Sequence, residues 1–118
     1  MIKIGNCPDS WGVWFDSNDK QPDWHTYLDD VAEAGYVYTE TGPYGYMSPD
    51  PVELKAELDK RGLKAIASTV MYDISDTKQT DEVIESCKKT CERLKAIGGI
   101  YFIIMDNMYT DLLTDEWV

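Results

Sequence analysis

Strand-like and helix-like segments alternate along this chain, and the connections between them are lopsided. Residues 2–6 alternate apolar and polar, with Ile2 and Ile4 on one face of a strand. After Asp23, the residues Trp24, Tyr27, Leu28, Val31 and Ala32 recur at the spacing of one helical stripe. Asp23 is placed to cap that helix and Gly35 to end it. Residues 36–41, rich in Tyr, Val and Thr, read as a second strand. Asp50-Pro51-Val52-Glu53 is a helix start, with an N-cap, a proline at the first helical position and an acid at the third. Lys60-Arg61-Gly62 suits the negative end of that helix. Residues 63–69 form the third strand of the pattern. Residues 80–97 form the third helix, with Ile84, Cys87, Cys91, Leu94 and Ile97 as its apolar stripe. Glu82, Glu85, Lys88, Lys89, Glu92 and Arg93 are expected on its solvated face. The apolar run 100–105 suits a parallel strand covered on both faces. Leu112, Leu113 and Trp117 suggest the start of a fourth helix.

The order is therefore βαβαβαβ, an α/β pattern that implies a parallel sheet. Helix-to-strand connections are very short, at Ala34-Gly35, Arg61-Gly62 and Gly98-Gly99. Strand-to-helix connections run to roughly 17, 9 and 10 residues, against about 2–6 for ordinary α/β units. The spare chain thus gathers at the carboxyl ends of the strands, where parallel α/β folds place their sites. Uniformly long loops at that end favour a barrel-type sheet over a flavodoxin-like one.

Composition narrows the partners. A length of 118 residues fits one small domain. Twenty-two acidic against 11 basic side chains leave a net charge of −11. Neither nucleic acid nor an anionic membrane, both of which attract basic surfaces, is expected as a partner. No apolar run approaches the roughly 20 residues of a membrane span. The start of the chain runs straight into a strand pattern, with no signal peptide visible, so the expected compartment is the cytoplasm. Three cysteines make no disulfide framework.

The long loops carry the candidate chemistry. The first holds Trp11, Trp14 and Phe15, either as a wall of a ligand pocket or as a plug over the sheet. No GxGxxG fingerprint and no phosphate-binding P-loop follows the first strand. In the second, Glu40 stands where a strand of Tyr, Val and Thr stops, a position for holding substrate hydroxyls or for a surface carboxylate. Tyr44 and Tyr46 follow, able to bracket a polyhydroxylated ligand or to pack a Gly-Pro-Tyr turn. The third loop, from Val70 to Asp76, carries Asp73 and Asp76. Asp106 ends the fourth strand as Glu40 ends the second, as a pocket acid or a turn former. His25, the single histidine, reads as a surface residue, and no HExxH or Cys/His zinc set occurs. Cys87 and Cys91 read as buried helical cysteines.

Several segments together resemble one family: Asp9-Ser10-Trp11-Gly12, Gln21-Pro22-Asp23-Trp24, Ala32-Glu33-Ala34-Gly35-Tyr36, Glu40-Thr41-Gly42-Pro43-Tyr44-Gly45-Tyr46 and Lys60-Arg61-Gly62-Leu63. The chain is similar to the amino-terminal half of the xylose isomerase-like TIM barrels, the sugar phosphate isomerase/epimerase group, and within it to the inosose dehydratase-like branch. The resemblance implies a parallel (βα)4 half of a TIM (β/α)8 barrel. It implies a sugar or polyol substrate and a divalent metal cation that assists proton transfer next to a carbonyl, giving isomerisation, epimerisation or dehydration. The cation's usual ligands lie on later strands, so none is identified in this chain. In the family pattern Glu40 and the Trp11 loop map onto positions that face the site, and Met71-Tyr72 lies in a loop where relatives often carry histidine. Trp11, Glu40, Tyr44, Tyr46 and Asp106 are the candidate substrate-binding residues.

A complete barrel needs about 250 residues. The expectation is therefore an amino-terminal fragment of one barrel domain, inactive by itself. Its first and fourth strands would present open edges that invite self-association. The alternative is a non-catalytic α/β module that binds a ligand or another copy of itself.

Overall fold

The computed structural model describes residues 1–108 together with Thr114 and Glu116. The expected helix start at Leu112, Leu113 and Trp117 lies outside the described residues. Four strands, β1 (Gly5–Asn6), β2 (Tyr38–Glu40), β3 (Lys64–Tyr72) and β4 (Tyr101–Asp106), pair in parallel in the order β1-β2-β3-β4. Three helices alternate with them: α1 (Trp24–Glu33), α2 (Pro51–Lys60) and α3 (Thr80–Ala96). This sequential order is that of half a (β/α)8 barrel. It excludes a flavodoxin-like sheet, in which the first strand lies between the second and third. Among the described residues no helix is long and apolar enough to cross a membrane.

The helix starts are those the sequence calls for. Asp23 accepts the His25 amide at 2.9 Å, and Asp50 accepts the Val52 amide at 2.9 Å with Pro51 at the first helical position. Each satisfies a donor that the first turn cannot pair internally. The buried faces of α1 and α2, carrying Tyr27, Leu28, Val31, Leu54 and Leu58, meet Leu63, Ala65, Met47 and Ile97 in one core. All of this lies on one side of the sheet. The Tyr27 hydroxyl of α1 bonds Thr39 at 2.7 Å, and Arg93 of α3 donates to Thr41 at 3.1 Å. Side chains alternate along a strand, so Glu40, between the two threonines, faces the other way. The pairing of β2 with β3 shifts register between Thr39 and Glu40, which meet Ala65 and Ala67. The extra β3 residue lets Ala65 and Ser68 both face the helices.

Four expectations are corrected. The first strand pairs over Gly5–Asn6 alone; Ile2 and Ile4 are 88% and 65% exposed because no described element packs on them. The third strand runs on to Tyr72, drawn out by continuous pairing with β4, so Val70-Met71-Tyr72 is strand and not loop. On α3 the buried face is rotated: Thr90, Arg93 and Leu94 are buried, whereas Ile84 and Cys91 are exposed and Cys87 is half-buried. The fourth strand is not covered on both faces, since Tyr101 and Ile104 stand 60% and 53% exposed at the sheet edge.

Leu28 is fully buried in the shared core and Val52 lies on the solvent face of α2. Leu28→Ala is expected to cost about 2–5 kcal/mol of unfolding free energy in a urea titration. Val52→Ala should stay within about 0.5 kcal/mol of the parent chain.

Candidate functional site

The carboxyl ends of β2, β3 and β4 open into a cleft of about 520 Å³. Its floor is set by strand alternation and register. Thr69 and Met71 on β3 stand opposite Ile103 and Met105 on β4, and all four line the cleft with Glu40. The side wall comes from the first long loop, through Cys7, Asp9, Trp14, Phe15 and Asp16, and from Pro43 and Tyr44 of the second.

Each loop is held by its own chemistry. In the first, Gln21 folds the chain back on itself. Its side-chain oxygen accepts the amides of Trp14 and Phe15 at 2.7 and 2.8 Å, and its amide group donates to the Phe15 carbonyl at 2.9 Å. This three-bond clasp sets Trp14 and Phe15 at the cleft wall. The second loop leans on the first where only glycine fits. Gly42 and Gly45 adopt φ of +68° and +102°. A Cβ there would come within 3.1 Å of the Pro8 ring and 3.0 Å of the Asp16 Cβ. Both positive φ and close approach therefore demand the absent side chain.

Glu40 is the acid that the fold directs into the cleft. The Thr69 hydroxyl donates to its Oε2 at 3.2 Å. Burial raises its pKa above the ordinary carboxyl value of 4.5; the Thr69 bond opposes the rise and nearby Asp9 adds to it. Cys7, beside it on the wall, is pushed up to about 11, mainly by burial, and is a neutral thiol at physiological pH. No lysine, arginine or histidine belongs to the described lining, whose ionisable groups are Cys7, Asp9, Asp16, Glu40, Tyr44 and Tyr72.

Of the five candidate residues, Glu40 and Tyr44 line this cleft and three do not. Trp11 packs its ring edge-on against Tyr27, with centroids 5.2 Å apart, and donates its Nε1 hydrogen to Asp30 at 3.2 Å. It braces the loop from behind. Tyr46 is 7% exposed within the core and donates to the Pro22 carbonyl at 2.9 Å. Asp106 falls on the opposite face of β4 from Met105, and its carboxylate accepts the amides of Ile74 and Asn107 at 3.1 and 2.9 Å. It is a turn former. Gln21 and Tyr72 carry no sequence signal of a binding role. The aromatic cluster in the first loop was the one sequence signal pointing to Trp14.

No sequence-family profile matches the chain. It is 31% identical over 111 residues to the inosose dehydratase of Geobacillus kaustophilus (strain HTA426), an alignment covering 89% of this chain and 34% of that protein. The chain thus spans about a third of the length of the relative it matches. This similarity agrees with the resemblance carried by the loop motifs and with the observed half-barrel order of strands.

The divalent cation implied by that resemblance does not fit the described residues. No three His, Cys, Asp or Glu side chains among them lie close enough together to hold a metal ion. The polar partner of Glu40 is a neutral hydroxyl, not a second carboxylate.

A raised carboxyl pKa means that the folded state holds its proton more tightly than the unfolded chain does. The resulting stabilisation is present below the ordinary carboxyl range and is lost as pH rises through the raised value. Glu40→Gln is therefore expected to be more stable than the parent at pH 7, with the advantage vanishing near pH 4. Paired urea titrations at the two pH values check this, and an advantage equal at both would show that Glu40 is not desolvated.

Proposed function

We propose that the cleft binds an uncharged polyol, a sugar or cyclitol, at the mouth of a barrel-type sheet. We further propose that the protein this chain represents performs proton transfer next to a carbonyl, by isomerisation, epimerisation or dehydration. The observation that carries the reading is Glu40, half-buried at a strand end between an aromatic wall and the Thr69 hydroxyl. A carboxylate with a raised pKa accepts hydroxyl protons strongly and sits closer to neutrality for acid–base work. Trp14, Phe15, Tyr44 and Tyr72 offer flat apolar faces of the kind that pack against a sugar ring's C–H face. The acidic lining favours neutral ligands over phosphate esters, because like charges in a partly desolvated cleft repel strongly.

The similarity to an inosose dehydratase supports the choice of a cyclic polyol and of carbonyl chemistry. In this assignment the described residues contribute binding and orientation. Glu40 takes or holds a hydroxyl proton, Thr69 orients the carboxylate, and the aromatic wall excludes water from one ring face.

Titration calorimetry with myo-inositol and with glucose 6-phosphate tests the binding. The neutral cyclitol should bind and the phosphate ester should not. Trp14→Ala should weaken the cyclitol about tenfold by removing the aromatic face. Equal binding of both ligands, or none of either, overturns the reading.

A second reading is favoured by the sheet edges. Tyr101 and Ile104 on β4, and Ile2 and Ile4 just before β1, are exposed apolar side chains at the two strands that are paired on one side only among the described residues. Such edges suit a module that self-associates. Sedimentation velocity distinguishes it: a dimer that dissociates on Ile104→Lys supports the module, and a folded monomer at all concentrations eliminates it.

A further inference from the structure

Arg93 lies in the last turn of α3, where the charge pattern assigns it to solvent, yet it is 3% exposed. Its guanidinium crosses from the helix to the second loop. Nη1 donates to the Met47 and Ser48 carbonyls at 3.3 and 3.4 Å, and Nη2 donates to the Thr41 hydroxyl at 3.1 Å. Its carbon centre stands 4.6 Å from the Tyr44 ring centroid. Among the described residues no carboxylate pairs with it, and Nε has no acceptor. Burying a cation without a counter-charge is expensive, and the loss of hydration lowers its pKa. The groups that hold it therefore carry unusual weight, and all of them belong to the segment from Thr41 to Ser48.

The opposite side of that segment is the cleft. Tyr44 reaches it as a lining residue, while Tyr46 turns back into the core. We propose that Arg93 is a positioning residue for the polyol site: it clamps the second loop from behind and fixes the Tyr44 ring at the cleft wall. The specific ligand for which this matters rests on the function proposed above, but the clamp itself does not. Lysine is no substitute. It lacks the planar fork that spans two carbonyls and a hydroxyl at once, and it cannot stack its face on the ring.

The test uses the full chain labelled with 3-fluorotyrosine, with the signal of residue 44 assigned by its loss in Tyr44→Phe. In Arg93→Met the fluorine signal of ring 44 should shift and broaden while the signal of Tyr27, across the core, stays in place. Arg93→Lys should show the same change with the charge retained, and it serves as the second variant if the methionine chain fails to fold. In folded variants, binding of myo-inositol should weaken about tenfold on losing Arg93, and by no further factor when Tyr44 is already alanine, because residues in one network couple. An unmoved ring-44 signal in a folded Arg93 variant overturns the clamp. Additive losses in the double variant overturn the action through Tyr44. If myo-inositol fails to bind the parent chain, the function reading falls, and the fluorine signal still decides the clamp.

Discussion

Two threonine hydroxyls, one on β2 and one immediately after it, decide which way the site faces. Thr39 bonds Tyr27 of α1, and Thr41 bonds Ser68 and receives Arg93 of α3. Both are committed to the helix layer, and strand alternation then has one place for the side chain between them. Glu40 is sent to the far side of the sheet, where Thr69 meets it. The register shift against β3 is part of the same constraint, since it lets Ala65 face the helices while Ala67 pairs with Glu40. A one-residue slip in β2 would bury Glu40 among leucines and expose the threonines.

The cleft depends on two loops that support one another. Gln21 closes the first with three hydrogen bonds, and glycines at 42 and 45 let the second lie against Pro8 and Asp16. The helix layer adds the third support through Arg93. Aromatic residues line the cleft from both loops and from the end of β3, while no three acids among the described residues gather closely enough to hold a metal ion. The result is a concave, partly apolar, acidic surface with one hydroxyl-bonded carboxylate. The proposed assignment of an uncharged, hydroxyl-rich ligand rests on that surface.

Much of the architecture was legible in the residues. Asp50-Pro51 marked a helix start because the two solve the same problem of unpaired amides and a pre-set φ. The α1 stripe was legible because Trp24, Tyr27, Leu28 and Val31 have no other use. Of the cleft lining, the residues themselves pointed to Glu40 and Tyr44 and, as one of two readings, to Trp14 and Phe15. Trp11 and Trp14 sit three residues apart in one loop, and local sequence does not say which ring turns inward. Tyr44 and Tyr46 pose the same problem across a turn. Asp106 looked like Glu40 because both end strands, but one residue of register puts them on opposite faces.

The residue pattern alone determined the succession of parallel βα units, the helix caps and the gathering of long loops at the strands' carboxyl ends. These follow from local rules: periodicity, capping and the length of chain between elements. Only the tertiary structure decided the face of Glu40, the rotation of α3 and the burial of Arg93. Charge pattern placed Arg93 in water because neighbouring Glu and Lys are solvated. What draws it inside is a set of carbonyls and a tyrosine ring roughly 45 residues away in sequence, brought beneath it by the fold. Long-range acceptors of that kind leave no periodic signal, so packing had to settle the matter.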